Sequence, residues 1–382
     1  MNIMTNITNM KTMTGITSRE RFLNAMSHKT VDRPVFDLYG CPQTTVMSGK
    51  TIDDMKKLLN IKGEYNGPGY IDERILESLA IDTRMTGGMP SPANDALYSY
   101  IDYADKYSVN IWGIGYAQVG NHWEIAKNPL KDMALEEIKR FPFPKASDID
   151  RNVFGKYRNH AKNLYENTDY AIVGEHPCFG VLELGCWMFG YDDFLYRLAG
   201  EPETVHWFFE KILDYQKEVI KLYYTAIGEY INCTTSGDDF GTQRGLFMSV
   251  DMFNELVAPY LKERIRYTKT FTNAYFQHHT CGSVFRLIPS LIDCGVDIIN
   301  PIQPNAFEME PERLKSEYGG QMSFWGGIDT QDLLVNALPG QVSEEVDRIV
   351  SIFGTDGGYV LSPAHCIQED VPAENVVAIY VR

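Results

Sequence analysis

The alternation of short apolar segments with amphipathic segments in the C-terminal half constrains the fold of this chain most strongly. Strand-like segments lie at residues 275–279, 296–300, 322–325 and 359–361, and segments with apolar residues at helical spacing separate them. Each strand with its helix takes about 25 to 35 residues, the size expected of a repeating strand–helix unit. Buried strands that alternate with amphipathic helices predict a parallel sheet with helices packed on it.

Earlier parts of the chain extend this pattern. Three more strand-like segments occupy residues 35–39, 172–175 and 233–238, and an eighth strand could lie within residues 72–112. Eight strands would close a TIM (β/α)8 barrel, whereas fewer would leave an open doubly wound sheet. No Gly-x-Gly-x-x-Gly turn follows a strand, which disfavours the dinucleotide-binding version of the open sheet. We therefore predict an α/β barrel.

The barrel should form a single domain. Residues 1–16 are rich in Met, Thr and Asn and lack an apolar stretch, so we expect a flexible leader there. The domain would span residues 17–382, and it opens with a capping box at Thr17-Ser18-Arg19-Glu20. Residues 66–145 are irregular and rich in Tyr, Pro and Gly, which indicates N-terminal insertions on the barrel.

Charge and cysteine content limit the partners and the compartment. The formal net charge of −16 argues against a nucleic-acid or anionic-membrane surface. No stretch approaches the ~18 apolar residues of a membrane helix. Seven scattered cysteines do not make a disulfide framework in a chain this long, so free thiols and a cytoplasmic location are expected. The sequence leaves open whether the protein forms a homodimer.

Candidate functional residues follow from the barrel prediction, because TIM-barrel active sites lie at the carboxyl ends of the strands. Polar residues near the predicted strand ends comprise carboxylates, imidazoles, amides and two thiols: Asp37, Glu175, His176, Asp238, Asp239, His279, Thr280, Cys281, Asn300, Gln303, Asp329, His365 and Cys366.

A metal site is the first hypothesis from these residues. His279, Cys281 and Cys366 form a soft ligand set that suits zinc, and three protein ligands would leave a coordination position for a substrate. The alternative is that these cysteines are small buried hydrophobes. His278 would point away from His279 and have a packing or hydrogen-bonding role. His365 could support a ligand or contact the substrate.

Carboxylates supply the second hypothesis. Asp238, Asp239 and Glu175 are candidate catalytic residues that could act as acids or bases or orient a substrate. The structural alternative is that one of the two aspartates caps a loop or pairs with Arg244. The residues alone do not decide between these readings.

Several motifs give the chain a family resemblance. It resembles the uroporphyrinogen decarboxylase superfamily over nearly its whole length. The motifs that carry the resemblance are Ser18-Arg19-Glu20-Arg21-Phe22-Leu23-Asn24-Ala25, Asp239-Phe240-Gly241-Thr242-Gln243, Pro259-Tyr260-Leu261-Lys262, His279-Thr280-Cys281-Gly282, Gly295-Val296-Asp297-Ile298-Ile299-Asn300-Pro301 and Gln303. The resemblance implies a TIM barrel.

Within that superfamily the resemblance favours the zinc-dependent corrinoid methyltransferases. Porphyrinogen decarboxylases carry an arginine-rich segment after the first strand, and residues 37–43 here contain no arginine. The methyltransferases have a His-x-Cys pair and a distant Cys, which His279, Cys281 and Cys366 match. The resemblance thus implies Zn²⁺ on these residues, a corrinoid carried by a partner protein, and a small methylated substrate.

The direction of methyl transfer is a further expectation. We expect transfer from a methyl ether, in particular an aromatic one, to the Co(I) of the corrinoid protein. The alternatives are methylation of a thiol such as coenzyme M by a methylcorrinoid, a decarboxylase-like activity, and a non-catalytic corrinoid- or tetrapyrrole-binding barrel. Four aromatic residues could hold a substrate ring: Trp187, Phe189, Phe247 and Trp325.

Overall fold

A computed structural model describes residues 15–41, 47–65, 71–90, 101–102, 107–119 and 122–381. Residues 1–14 of the expected leader lie outside this range. The strands are β1 (Val35–Phe36), β2 (Thr83–Gly87), β3 (Ile101–Asp102), β4 (Tyr107–Val109), β5 (Gly115–Val119), β6 (His122–Lys127), β7 (Ala171–Glu175), β8 (Cys233–Thr234), β9 (Gly241–Thr242), β10 (Gly245–Leu246), β11 (Tyr275–His279), β12 (Ile298–Ile302), β13 (Ser323–Ile328) and β14 (Tyr359–Pro363).

Eight of these strands form the TIM barrel that the sequence predicts. They pair in parallel in the order β1-β14-β13-β12-β11-β8-β7-β2. At the remaining seam, the Asp82 backbone N–H donates to Phe36 O at 2.9 Å. The predicted eighth strand is β2. The strands predicted at 35–39 and 233–238 are shorter than expected, and the one predicted at 296–300 lies two residues later.

Helices surround the barrel in the order the alternating pattern predicts. They are α1 (Ser18–Met26), α2 (Gly49–Leu58), α3 (Glu73–Ser78), α4 (Leu135–Ile138), α5 (Asn152–Asn167), α6 (Val181–Phe189), α7 (Tyr191–Gly200), α8 (Pro202–Ile227), α9 (Val250–Met252), α10 (Ala258–Thr268), α11 (Ile288–Cys294), α12 (Pro311–Tyr318), α13 (Leu333–Asn336), α14 (Pro339–Phe353) and α15 (Ala373–Tyr380). Two 3₁₀ turns (Ala146–Asp148 and Phe285–Leu287) and a π-helical turn (Phe253–Val257) complete the set. The capping box at Thr17 is present.

Side-chain alternation along the strands decides which residues face the barrel interior. In β7, Ala171 and Val173 belong to the interior apolar cluster that contains Trp325, whereas Ile172 packs among the outer helices. Successive side chains of a strand point to opposite faces. Glu175, two residues beyond Val173, therefore faces the interior at the carboxyl end of the barrel.

The same alternation holds in β11. Gln277 Nε2 lies 3.5 Å from Cys41 Sγ inside the barrel. His278 stacks on Phe240, a member of the outer cluster, with ring centroids 5.4 Å apart. His279 consequently faces the interior, and His278 has the packing and hydrogen-bonding role predicted for it, since its Nδ1 lies 3.2 Å from Ser236 Oγ.

An antiparallel sheet of β3, β4, β5 and β6 interrupts the barrel pattern within residues 66–145. Trp112, between β4 and β5, packs edge-on against Tyr215 of α8 with ring centroids 5.0 Å apart. Both residues lie in the hydrophobic cluster that joins the barrel to its helices. In the described part of the chain, no helix is long and apolar enough to cross a membrane.

The amino-terminal end of the barrel is held by a buried charge network. Asp82, which precedes β2, accepts hydrogen bonds from Ser18 Oγ at 2.6 Å, from Arg21 Nη1 at 2.7 Å and from Arg33 Nη1 at 2.6 Å. Its carboxylate also accepts the Phe36 N–H at 2.8 Å. This one side chain therefore links α1, β1 and β2.

Candidate metal centre

His279 presents one ring nitrogen to the barrel mouth. Its Nδ1 lies 2.9 Å from Asn300 Oδ1, and Asn300 Nδ2 donates to Trp325 O at 3.3 Å. Because the Asn300 amide donates through its nitrogen, its oxygen must accept, and Nδ1 of His279 carries the proton. Nε2 then keeps its lone pair, as a metal ligand requires.

Cys281 and Asp239 lie beside that nitrogen. Cys281 Sγ is 3.4 Å from His279 Nε2, and Asp239 Oδ1 is 3.8 Å from it. The Cys281 backbone N–H donates to Asp239 Oδ1 at 2.7 Å. One ligand atom from each residue lies within 4.8 Å of the other two, so the three residues form a candidate site for a metal ion.

A close backbone approach sets the position of Cys281. Gly282 has a φ of +84°, and a Cβ on it would lie 2.5 Å from Thr242 O. Its N–H donates to Gln303 Oε1 at 2.7 Å. The loop after β11 can therefore pack against β9 only with glycine at this position.

Cys366, the third predicted ligand, stands apart from this three-residue group. It is partly exposed on the loop after β14, and a bridge between Met47 and Ile367 anchors that loop. It is close enough to Cys281 to interact with it electrostatically. The neighbouring His365 ring has its centroid 6.4 Å from that of His279. The two cysteines and both histidines thus face one region of the mouth.

The consecutive aspartates have different environments. Asp238 accepts the N–H groups of Leu182 at 3.0 Å and Glu183 at 2.7 Å, so it caps the N-terminus of α6. Burial raises the pKa of Asp238 to about 7. Asp239 instead contacts Cys281 and His279. Asp238 therefore has a capping role, at a helix and not at a loop, and Asp239 is the aspartate at the candidate metal centre.

Glu183 is a site residue that the sequence analysis missed. It lies in the first turn of α6, where burial, followed by the charges of Asp239 and Asp238, raises its pKa well above the ordinary value. Burial, followed by the charges of Asp239 and Glu183, also raises the pKa of the Cys281 thiol. Only the apolar context Val181-Leu182-Glu183-Leu184 could have marked this acid as unusual.

These donors fit a zinc ion. Nitrogen, sulfur and carboxylate oxygen are the ligand types that zinc takes, and a divalent cation would compensate the negative charge gathered around Cys281. The tautomer of His279 is already the one that binds a metal. The chemistry of the donor set thus agrees with the zinc prediction, although the three-residue group contains Asp239 and not Cys366.

Glu175 lies on another side of the same mouth. It ends β7, which pairs with β2, and its carboxylate borders Gly88. Burial raises the pKa of Glu175 to about 7. Asp37, by contrast, has a structural role. Its carboxylate accepts hydrogen bonds from Trp325 Nε1 at 3.1 Å and from the Gly40 N–H at 2.9 Å.

Two of the four aromatic candidates for a substrate wall were wrong. Phe189 and Trp325 are 0% exposed, so neither can touch a substrate. Phe189 packs between α6 and α8, and Trp325 fills the barrel interior. Trp187 and Phe247 are partly buried and keep an accessible face.

The family follows from a sequence profile. The profile described as uroporphyrinogen decarboxylase (URO-D) matches residues 177–380, which is more than half of the chain. The chain belongs to the uroporphyrinogen decarboxylase family. This match covers β8, β11, β12, β13 and β14 and every residue of the candidate metal centre. No curated protein is significantly similar in sequence to this chain.

Solved structures extend the fold comparison of this URO-D family member. A methyltransferase from Methanosarcina mazei is similar to it with a TM-score of 0.64 and 15% identity, over 95% of this chain and 97% of the other. A putative B12-independent methionine synthase from Listeria monocytogenes gives a TM-score of 0.41 and 11% identity, over 92% and 97% of the two chains. The first likeness shows a shared barrel, and the second is too weak to support an inference.

Proposed function

We propose that this URO-D family member is a zinc-dependent methyltransferase that moves a methyl group from a methyl ether to the Co(I) of a corrinoid protein. The observation that carries the proposal is the convergence of His279 Nε2, Cys281 Sγ and Asp239 Oδ1 at the carboxyl end of the barrel. That end is where TIM-barrel enzymes hold their active sites. The likeness to a methyltransferase barrel supports the same reading.

Each residue has a defined part in this proposal. His279, Cys281 and Cys366 would hold the zinc, which when bound would act as a Lewis acid on the ether oxygen. Asn300 keeps His279 in the ligating tautomer. Asp239 accepts the Cys281 backbone N–H and so holds that ligand in position beside the substrate. The oxygen–methyl bond breaks, the methyl–cobalt bond forms, and the electron pair of the broken bond stays on oxygen.

An aryl ether suits this arrangement better than an alkyl ether. Asp239 places negative charge near the leaving oxygen. A phenolate spreads its charge over the ring and can leave without taking a proton, whereas an alkoxide cannot. We therefore assign a methoxylated arene as methyl donor, with the corrinoid protein docked at the open barrel mouth.

Metal analysis tests the centre. We expect one zinc per chain in the wild type and a large loss in Cys281→Ser and Cys366→Ser. Cys294→Ser is the matched control, because Cys294 is a buried helical cysteine far from the mouth. Undiminished zinc in Cys366→Ser would remove Cys366 from the ligand set and leave His279, Cys281 and Asp239.

The Co(I) spectrum tests the reaction. Zinc-loaded protein is mixed with reduced corrinoid protein and methoxylated arenes, and loss of the Co(I) absorbance reports methyl transfer. In a parallel experiment, coenzyme M or homocysteine is added to the methylcorrinoid form. Thiol methylation would replace ether demethylation as the proposed reaction under two conditions. Methoxylated arenes would leave Co(I) unchanged, and an added thiol would give zinc a further sulfur ligand at about 2.3 Å.

A further inference from the structure

A row of hydrogen-bonded side chains in the barrel interior ends at the candidate metal centre. Gln277 Nε2 donates to Cys41 Sγ at 3.5 Å, and Cys41 Sγ donates to Asn300 Oδ1 at 3.7 Å. Asn300 Oδ1 also accepts from His279 Nδ1 at 2.9 Å. Gln277, Cys41 and Asn300 are all 0% exposed, so water does not compete for these bonds. The row therefore connects a buried thiol to the imidazole of a predicted metal ligand.

A turn anchored by Asp37 holds Cys41 in this place. The Asp37 carboxylate accepts the backbone N–H groups of Gly40, at 2.9 Å, and of Cys41. It also accepts from Trp325 Nε1 of β13 at 3.1 Å. The turn packs closely on β2, because a Cβ on Gly40 would lie 2.7 Å from the Thr83 Cβ. The backbone of Cys41 is thus held independently of the bonds that its thiol makes.

The direction of the bonds fixes the thiol proton of Cys41. Gln277 presents its amide nitrogen to the sulfur, so the sulfur accepts there and its own proton is directed at Asn300 Oδ1. Gln277 Oε1 is buried without a hydrogen-bond partner in the described part of the chain. An orphan acceptor in a core is unfavourable, and an apolar side chain would avoid it. The bond to Cys41 is therefore what the Gln277 amide contributes here.

Two donors thus converge on Asn300 Oδ1. A carbonyl oxygen has two lone pairs, and the Cys41 thiol and the His279 imidazole take one each. If the Asn300 amide turned over, its NH2 group would face both of these donors. His279 Nδ1 would then have to accept a hydrogen bond, and the ring proton would move to Nε2. That nitrogen would have no lone pair left for a metal.

We propose that Cys41 is a positioning residue of the metal centre. Its thiol holds the Asn300 amide in the orientation that keeps the ring proton of His279 on Nδ1 and the lone pair of Nε2 available to zinc. The inference rests on the zinc site of the function proposed above and adds a third cysteine to that site. Cys41 differs from Cys281 and Cys366 because its sulfur acts through Asn300 and not as a ligand.

The tautomer of His279 can be measured without turnover. Metal-free protein is labelled with ¹⁵N-histidine, long-range ¹H–¹⁵N correlation spectra show which ring nitrogen carries the proton, and His279→Gln identifies the signals. We expect the Nδ1–H form in the wild type and a larger share of the Nε2–H form in Cys41→Ala. Competition with a zinc chelator should show that Cys41→Ala binds zinc about 2- to 10-fold more weakly, as expected when one neutral hydrogen bond is removed.

Two further variants separate positioning from packing. Cys233→Ala removes a thiol from the same interior cluster, but Cys233 Sγ donates to Thr234 O at 3.7 Å. This variant should destabilise the fold about as much as Cys41→Ala and leave the tautomer and the zinc affinity unchanged. Cys41→Ser keeps a donor and should retain both. The inference is overturned if Cys41→Ala has the wild-type tautomer, or if Cys233→Ala or Cys41→Ser changes the tautomer as much as Cys41→Ala does.

The outcome for the proposed function is separate, because the tautomer is measured without zinc, corrinoid or substrate. If Cys41→Ala alters the tautomer but no methoxylated arene consumes Co(I), the role of Cys41 stands and the proposed reaction is wrong. If methoxylated arenes methylate Co(I) and Cys41→Ala matches the wild type in tautomer and zinc affinity, the reaction stands and the role assigned to Cys41 is wrong.

Discussion

The two ends of the barrel use buried charge in opposite ways. At the amino-terminal end, Asp82 is 0% exposed and is matched by Arg21 and Arg33 at 2.6–2.7 Å. At the carboxyl end, Glu175 has no ion partner in the described residues, and Glu183 lies among other acids. Paired charges hold one end together, whereas burial at the other end favours the neutral forms of these acids and raises their pKa values.

This difference separates stability from function within one fold. In TIM barrels the amino-terminal face serves stability and the carboxyl-terminal face serves catalysis. Substitutions at the Asp82 network should therefore change the free energy of unfolding, whereas substitutions at the mouth should change metal or ligand binding.

The largest effect is expected at Asp82. Asp82→Asn removes the charge that pairs with buried Arg21, so the free energy of unfolding should fall by about 3–5 kcal/mol. Urea denaturation of the variant and of Asp53→Asn, an exposed control, measures the difference. A fall below about 1 kcal/mol would show that the network does not stabilise the amino-terminal end.

The adjacent aspartates should separate the two kinds of effect within one dipeptide. Asp239→Asn should lower methyl transfer about 10²-fold and leave the free energy of unfolding nearly unchanged. Asp238→Ala removes the cap of α6 and should lower the free energy of unfolding by about 1–2 kcal/mol. Single-turnover Co(I) kinetics and urea denaturation measure the two quantities, and normal turnover in Asp239→Asn would remove that residue from the reaction.

A smaller effect is expected at Asn300, which controls the tautomer of His279. Asn300→Leu should weaken zinc binding by about 10- to 100-fold, because the ring loses the acceptor that fixes it. Asn300→Asp keeps an acceptor and is the matched control. Competition with a zinc chelator gives the affinities, and equal affinity of Asn300→Leu and wild type would argue against His279 as a ligand.

The smallest effect is a pH dependence of stability at Glu175. Folding raises its pKa from 4.5 to about 7, so the folded state binds the proton more tightly and loses stability as the pH rises from about 4 to about 7. Glu175→Gln should be more stable than wild type at pH 8 by on the order of 1–2 kcal/mol and no more stable at pH 4. Denaturation at both pH values gives this difference, and an identical difference at both would contradict it.

The barrel and part of the site could be predicted from the sequence. Short apolar runs between segments with helical spacing located seven strands, because burial imposes those patterns directly. The position of His279 opposite His278 followed from the same alternation. The eighth strand, β2, was harder to locate because Arg84 and Thr86 interrupt its apolar character.

The assignment of roles within the site needed the fold. Asp238 and Asp239 are equivalent in sequence, and only the approach of α6 shows that one caps a helix. Glu183 meets Asp239 across elements more than fifty residues apart, a contact that no local pattern encodes. Phe189 and Trp325 were offered as substrate contacts, but aromatic residues fill cores as readily as pockets.

The adjacency of Asp238 and Asp239 couples the metal centre to a neighbouring helix. The Asp238 carboxylate caps the first turn of α6, and the Asp239 carboxylate contacts His279 and Cys281. A shift of the segment that carries both aspartates should therefore also move that helix. Trp187 lies on α6 and packs edge-on against Phe179 with ring centroids 5.0 Å apart. The chain therefore carries an intrinsic fluorophore on the helix that Asp238 caps, and we expect zinc binding to change the emission of Trp187.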